Sequence, residues 1–333
     1  MSLDALIAYG RAVLANSLGV FVDHGHFLSL LPMLVALLMA LGWLVWRWRR
    51  SGRPLSLRAL RRLAFPRRVF LHRSALHDYA ILLINQGLLF FVVGSAIVTP
   101  GLLAAVVVAL GGLFGLQVEL APASLAERIA VSVYLVLVWD FAATYAHYLK
   151  HKVPLLWEFH KVHHCAEVLN PVTALRRHPV EAVVSALITA TILGLAMGLW
   201  LLAFGRFDVY SVFGTWAGIY AWRLLGYNLR HSHLPLSYGP FWSRILISPL
   251  QHQIHHSNDP RHYDTNFGHI FAIWDRLFGT LYVPAAGERV RFGIDAAEMA
   301  DYRTLKGLYL TPFRKAGALL LRRRSRLQTQ ASV

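Results

Sequence analysis

Long apolar runs alternate along this chain with short clusters of arginine, histidine and turn residues, and the length of each run sets the first expectation. Phe27 to Trp46 is a run of 20 residues without a charge. As a helix rising 1.5 Å per residue it is long enough to cross about 30 Å of hydrocarbon. Further apolar runs extend from Tyr79 to Thr99, Leu102 to Val118, Ile129 to Ala146 and Ala182 to Phe204, with a more polar one from Val209 to Tyr227. Pro100-Gly101 separates two of them as a turn, and Gly205-Arg206 splits the last two. That last pair reads as a hairpin that leaves the cytoplasmic face and returns to it. If every run between Tyr79 and Ala146 crossed fully, three crossings would carry His147 to the opposite face. One of them, around Gly111, Gly112 and Gly115, is therefore expected to be re-entrant or to lie in the interface. From Asn228 onward the chain is mostly polar, with turn residues at Pro235, Gly239, Pro240, Pro249 and Pro260.

The fold class implied is an all-α integral membrane protein, a multi-span helical bundle with a cytoplasmic helical cap that holds a histidine-rich di-metal site. Residues 1–78 form a leading amphipathic or partly inserted helix, the first span and a basic segment. Residues 79–284 form the membrane and histidine-bearing domain, and residues 285–333 a basic cytoplasmic tail. No internal repeat or low-complexity linker interrupts this plan.

Composition agrees, since 56% apolar and 15% charged residues is too apolar for an ordinary soluble chain. The net charge of +16 is clustered. Ten arginines fall between Arg47 and Arg73 with no acidic residue among them, and a second basic stretch runs from Arg314 to Arg326. The positive-inside rule puts both in the cytoplasm. In so apolar a chain the basic face is expected to meet anionic lipid and not nucleic acid. Cys165 is the single cysteine, which excludes an internal disulfide and any cysteine-rich metal site. The opening residues, with Asp4 and a lone Arg11, do not read as a cleaved signal peptide.

Thirteen of the 17 histidines lie between His147 and His269, mostly in short patterned groups. They are His147 with His151, then His160, His163 and His164, then His231 and His233, then His252, His255 and His256. Residues three and four apart share a helical face, so the first pair points together, as do both triplets. Two copies of a three-histidine pattern of this kind arise by chance in roughly one chain per thousand of this length and composition. Imidazoles converging beside a membrane need partners, and a metal ion is the natural common one. Eight such residues, with one more from His231 or His233, exceed the four ligands of a tetrahedral zinc, so two metal ions follow. His231 and His233 are two apart, so only one binds if the segment is helical; in a loop both reach.

At these residues the sequence resembles the fatty acid hydroxylase and sterol desaturase superfamily of membrane di-iron proteins. The resemblance runs from about Trp139 to Pro284. Besides the histidines it takes in Arg177-His178-Pro179, the segment Asn228 to His233, Asp264-Thr265-Asn266-Phe267-Gly268, and Trp274 to Thr280. It implies two iron ions, O₂ as oxidant, and electrons from NAD(P)H delivered through a separate redox protein. The substrate it implies is a lipid in the bilayer, such as a fatty acyl chain, a sterol or a lipid head group, which is hydroxylated or desaturated. The ligands it implies are His147, His151, His160, His163, His164, His231 or His233, His252, His255 and His256. His178 is a further ligand or a supporting group, and His262 and His269 are supporting or structural.

Asp140, two turns before His147, is placed to orient a ligand imidazole or to bridge helices. Asp264 and Asn266 either cap or orient the last group or form a turn. Glu158 and Glu167 read as solvated helix-end residues, Asp275 as the partner of an arginine, and Cys165 as a buried thiol. Trp139, Tyr145, Tyr148 and Trp157 read as interface anchors. A metal transporter would need ionisable residues in mid-membrane, whereas here the histidines sit among Lys150, Lys152, Glu158 and Lys161. A zinc hydrolase would use the same imidazoles, but no HExxH motif supplies a general base.

Overall fold

A computed structural model describes residues 3–52, 56–93, 99–116, 118, 122–285 and 287–331. The parts of the apolar runs at 94–98 and at Gln117 lie outside the described residues. The chain is mostly helical. In order the helices are α1 (Leu3–Val22), α2 (Leu30–Arg50), α3 (Leu57–Ala64), α4 (Arg67–Phe70), α5 (Arg73–Val93), α6 (Pro100–Leu113), α7 (Leu125–Lys152), α8 (Pro154–His164) and α9 (Pro179–Phe204). A two-stranded hairpin follows, β1 (Ser211–Val212) against β2 (Thr215–Trp216). Then come α10 (Ala217–Leu224), α11 (Gly239–Trp242), α12 (Pro249–His255), α13 (Ile273–Phe278), α14 (Ala296–Met299) and α15 (Leu305–Ala331). Among the described residues α2, α7 and α9 are long and apolar enough to cross a membrane.

Helices α7 and α9 run in opposite directions. Lys150 of α7 pairs with Glu181 at the start of α9, the Tyr134 hydroxyl donates to the Ala196 carbonyl, and Glu127 pairs with Arg206 beyond the end of α9. α7 starts at a capping box in which Ser124 and Glu127 satisfy each other's backbone N–H groups. At 28 residues it is longer than a bilayer core requires, so its last two turns project with His147 and His151 on one face.

α6 runs parallel to α9 and very close to it. A Cβ on Gly194 would lie 2.4 Å from Cβ of Leu103, one on Gly198 would lie 2.5 Å from Cβ of Val107, and one on Gly111 would meet Leu202. Gly194 and Gly198 thus make a GxxxG contact in which missing side chains let two helices touch, the usual means of holding apolar helices together in lipid. Because α6 follows α9 toward its C-terminal end, α5 and α6 together carry the chain away from the histidine end, and α7 brings it back. α6, only 14 residues long, is too short to be a full crossing by itself.

The expected return span from Val209 to Tyr227 is not a membrane-length helix. The segment forms the small hairpin and then the eight-residue α10, whose Gly218 sits against Val136 of α7. Eight residues rise only about 12 Å. Backbone of this irregular kind is tolerated at depth where protein covers it.

Two apolar clusters position the rest. Ala36, Ala40 and Leu44, four apart on α2, pack on Leu60 and Ala64 of α3 and on Leu229 and Leu234. Met299, Tyr302 and Leu308 pack on Ile81, Val162 and Cys165, so the C-terminal segment closes over α5 and α8. Arg176, buried, ties α5 to the loop after α8 through Asp78, Ser74, the Val162 carbonyl and Cys165.

Replacing Gly198 by Leu forces α6 off α9. Overpacking of this kind costs about 1–3 kcal/mol, and a lowered thermal midpoint in detergent is the expected reading. An unchanged midpoint would mean that the contact carries no stability.

Candidate metal centre

Four elements bring nine imidazoles together. His147 and His151 come from the end of α7, His160, His163 and His164 from α8, His231 from the turn after α10, and His252, His255 and His256 from α12 and its cap. Each helix reaches the site because of a local signal. Pro154 at the first position of α8 allows a sharp break from α7. The Ser248/Gln251 capping box, with Pro249 at the first turn, starts α12.

The ring nitrogens fall into two groups. His147, His151, His160, His164 and His255 form one, and His163, His231, His252 and His256 the other; within each, the candidate ligand atoms all lie within 4.8 Å of one another. All nine rings are buried, that of His151 included, whose side chain is 5% exposed. The groups abut, the His164 ring stacking on His256 at 4.6 Å between centroids. In the second group Nε2 of His231 is 3.0 Å from Nε2 of His252 and 3.3 Å from that of His163. Nitrogens bound to one ion at about 2.1 Å sit roughly 3.0–3.4 Å apart, so this spacing suits a common ion.

The other nitrogen of each ring shows which atom is free. His147 Nδ1 donates to the Phe267 carbonyl at 3.0 Å, His163 Nδ1 to that of Arg176 at 3.2 Å, and His255 Nδ1 to that of Thr265 at 2.8 Å. His160 Nδ1 donates to Glu181 Oε1 at 2.9 Å, and His151 Nδ1 lies 3.5 Å from Asp264. An acceptor on Nδ1 puts the ring proton there and leaves a lone pair on Nε2. Nε2 of His151, His160, His164 and His255 is buried and has no hydrogen-bond partner. Orphaned nitrogens of that kind are costly unless an ion takes them up, and the donor set therefore fits metal ions. His252 differs, because Arg230, which can only donate, reaches its Nδ1 at 3.0 Å. A metal on its Nε2 would displace a proton.

Burial and the neighbouring positive groups hold His160, His163, His164, His231, His252, His255 and His256 well below the ordinary imidazole range, which keeps them neutral and able to ligate. Asp264 is pulled down to about 2, chiefly by its contact with His151 and further by Lys152.

Asp264 and Asn266 have left-handed backbone, with φ of 58° and 56°. Aspartate and asparagine tolerate that region better than most residues. The double bend presents the carbonyls of Thr265 and Phe267 to His255 and His147, and Asn266 locks it by donating to the Gln251 carbonyl and accepting from Tyr282 N–H. Gly268 N–H and Phe267 N–H both donate to Asp275, as does the Thr280 hydroxyl, so Asp275 braces this loop in place of an arginine partner.

Several predicted residues lie elsewhere. His233 stands outside both groups, its Nε2 donating to the Leu63 carbonyl at 2.7 Å, so of the two alternatives it is His231 that joins the cluster. His178 caps α9 by accepting from Val180 N–H and donates to the Tyr309 carbonyl. His262 contacts Glu288. Asp140 accepts from the N–H groups of Ile270 and Phe271 and from the Trp274 indole, bridging α7 to the loop before α13; no imidazole is among its hydrogen-bond partners. Glu158 is buried and paired with Lys161, unlike the solvated residue expected, whereas Glu167 is exposed. Cys165 is a buried thiol, as expected. Trp157 packs on His151 and His164, and Trp139 on His269, so these two line the histidines.

Sequence reasoning missed Glu181 and Arg230. Glu181 bonds His160 and Lys150 together, and Arg230 joins His252 to the carbonyls of Gly268 and His269. Glu181 left a faint signal, an acidic residue in the first turn of a helix opened by Pro179. Arg230 falls inside the Asn228 to His233 segment of the resemblance, but no spacing marks it as a partner of His252.

A cavity of about 350 Å³ opens on the first group, lined by His151, His164 and His255 with Trp157, Lys161 and Tyr263. A smaller one of about 30 Å³ lies among His147, His160, His163, His231, His252 and His269. The scaffold is helical, with two adjoining multi-histidine groups that could each hold a metal ion at the ends of apolar helices. Residues 132–280 match the model of the fatty acid hydroxylase family, which lies within the superfamily that the histidine spacing resembles. It is 32% identical over 160 residues to alkylglycerol monooxygenase of Xenopus tropicalis and 28% identical over 155 residues to that of Homo sapiens, in each case over 46% of this chain and 31% of the relative. It is 27% identical over 160 residues to ornithine lipid hydroxylase OlsE of Rhizobium tropici, over 46% of this chain and 43% of that one. The chain thus spans less than half the length of these relatives. No solved structure matches it significantly.

Replacing Glu181 by Gln keeps the side-chain shape and removes the charge behind His160, and metal affinity is expected to fall about 10–100-fold, read by competition with a chelator. An unchanged affinity would limit Glu181 to its pairing with Lys150. For pH, imidazoles depressed on folding contribute stability that is present above their unfolded value of about 6.5 and is lost as pH falls below it. Asp264 keeps its contribution down to about pH 4 and loses it only toward about 2. Thermal midpoints are therefore expected to drop between about pH 6.5 and 5, with metal release over the same interval; a flat profile there would contradict the neutral imidazoles.

Proposed function

We propose that this protein is a membrane-bound di-iron oxygenase that hydroxylates a lipid with O₂ and two electrons. The observation that carries the reading is the pair of buried imidazole groups with converging ring nitrogens, four of them unpartnered in the first group, inside the segment that matches the fatty acid hydroxylase family. One iron would be held by His147, His151, His160, His164 and His255, the other by His163, His231, His252 and His256. When bound, the two irons supply O₂ chemistry strong enough to break an unactivated C–H bond, with electrons from NAD(P)H through a separate redox protein.

The chain's own residues then have definite tasks. Glu181, Asp264 and the carbonyls of Phe267, Thr265 and Arg176 hold protons on Nδ1, which keeps each Nε2 turned to its ion. His178, Asp140 and Asn266 support the helices and loops that carry these groups. Trp157 walls the first group, leaving one open side where a reactant fits. The relatives named above act on an alkylglycerol and an ornithine lipid by their names, which favours hydroxylation of a lipid over desaturation.

The membrane arrangement we infer has α2, α7 and α9 as spans and α5 with α6 as one broken crossing. The histidines then lie on the side of the arginine-rich segment, which the positive-inside rule makes cytoplasmic.

Metal and oxygen analysis of anaerobically iron-loaded protein in detergent tests the reading. Close to two irons per chain, lost in His255→Ala, with O₂ consumed on reduction and a lipid product heavier by one oxygen atom, is the expected result. Tightly held zinc with no oxygen consumption after iron loading would overturn it and favour a zinc hydrolase.

A further inference from the structure

Two cavities away from the histidine groups adjoin each other along α2, and they differ sharply in chemistry. The first, about 380 Å³, follows α2 from Leu30 to Ala40 and is almost wholly apolar, walled by Met33, Leu37, Phe65, Phe70 and Val172. The second, about 420 Å³, follows the end of the same helix from Trp43 to Ser51 and is ringed by Arg47, Arg62 and Arg68 over Trp43 and Trp48. His233 and Leu234 belong to the walls of both.

None of the three arginines has a carboxylate partner among the described residues, and the sequence from His24 to His77 contains no acidic residue to supply one. Their charge awaits a neutralising group. His233 donates to Leu63 through Nε2, which leaves its buried Nδ1 as an unpartnered acceptor on the wall between the cavities. The order along α2 is then apolar cavity, hydrogen-bond acceptor, cationic pocket. The apolar part extends over eleven residues of helix, a rise of about 15 Å from first to last, the depth of one leaflet of a bilayer core of about 30 Å.

We propose that this paired cavity binds one anionic phospholipid of the leaflet that faces the arginine segment. Its acyl chain occupies the cavity beside Leu30 to Ala40 and its phosphate sits among Arg47, Arg62 and Arg68, with its glycerol ester region passing His233 on the shared wall. Arginine suits the phosphate because its planar fork gives paired, charge-assisted hydrogen bonds. The site uses His233, which lies outside the metal groups, as part of its shared wall, and it stands whether or not the chain oxidises lipid.

The test is lipid retention. Purified protein is reconstituted in vesicles of phosphatidylcholine with a minor fraction of phosphatidylglycerol, re-extracted in mild detergent, and its bound lipid is counted by native mass spectrometry. Wild type is expected to hold phosphatidylglycerol enriched about tenfold over its share of the vesicle, from a basic cluster that attracts anionic lipid. The combined Arg47→Gln, Arg62→Gln and Arg68→Gln variant should lose that enrichment. A matched variant with Arg49→Gln, Arg50→Gln and Arg67→Gln, equal in charge but outside the pocket, should keep it. Leu37→Trp, which fills the apolar cavity, should lower retention with the arginines intact. Equal retention of both lipids by wild type, or equal loss in the two triple variants, would overturn the proposal, the second result showing only a general surface potential. Inorganic phosphate that raises the thermal midpoint of lipid-free wild type and displaces no lipid would point to a free-anion site and likewise overturn it.

Discussion

Nine imidazoles whose ring nitrogens face one another away from water are the constraint on which the rest of this molecule depends. Apart from His252, whose Nε2 donates to His231, the neutral rings turn lone pairs toward one another and gain little from the contact, and protonated rings would repel. Five of the rings, those of His147, His151, His160, His163 and His255, are fixed from behind. That is the task of the carbonyls of Arg176, Thr265 and Phe267 and of Glu181 and Asp264. The left-handed turns at Asp264 and Asn266, the bracing of their loop by Asp275, and the bridge from Asp140 to Ile270 and Phe271 all serve to keep those acceptors in place.

The apolar helices serve the same end. α7 carries His147 and His151 and is held against α9 by contacts spread along its length, from Glu127 with Arg206 to Lys150 with Glu181. The last of these is shared with the site, since Glu181 also holds His160. A buried carboxylate between an ammonium and an imidazole has both neighbours as donors, so its desolvation is offset only in this assembled state. Helix packing and ring orientation are thus coupled through one residue. At the other end the glycine contacts of α6 with α9 bring two helices close where no hydrophobic force separates protein from lipid.

A second site built on α2 would bind the molecule to the chemistry of one leaflet. The arginines near its end are then both a signal for orientation and a receptor for phosphate. The two uses agree, since the same charge that sets which face is cytoplasmic also meets the anionic lipid found there.

The sequence by itself determined the membrane class, the helices around α2, α7 and α9, and the histidines that group, because run length and three- or four-residue spacing are local properties that a helix converts directly into geometry. Eight of the grouped residues could be named from spacing alone, and the turn-tolerant residues Asp264 and Asn266 were legible as candidates. Tertiary structure decided what spacing cannot express. It sorted the rings into groups of five and four, placed His231 within the cluster and His233 against Leu63, and recruited Glu181 and Arg230 from elements distant in sequence. It also replaced the expected span from Val209 to Tyr227 with a hairpin and a short helix. The reason is physical: a period fixes which side chains share a face, but which face meets which, and which backbone oxygen stands behind a given ring, depends on how separate elements pack.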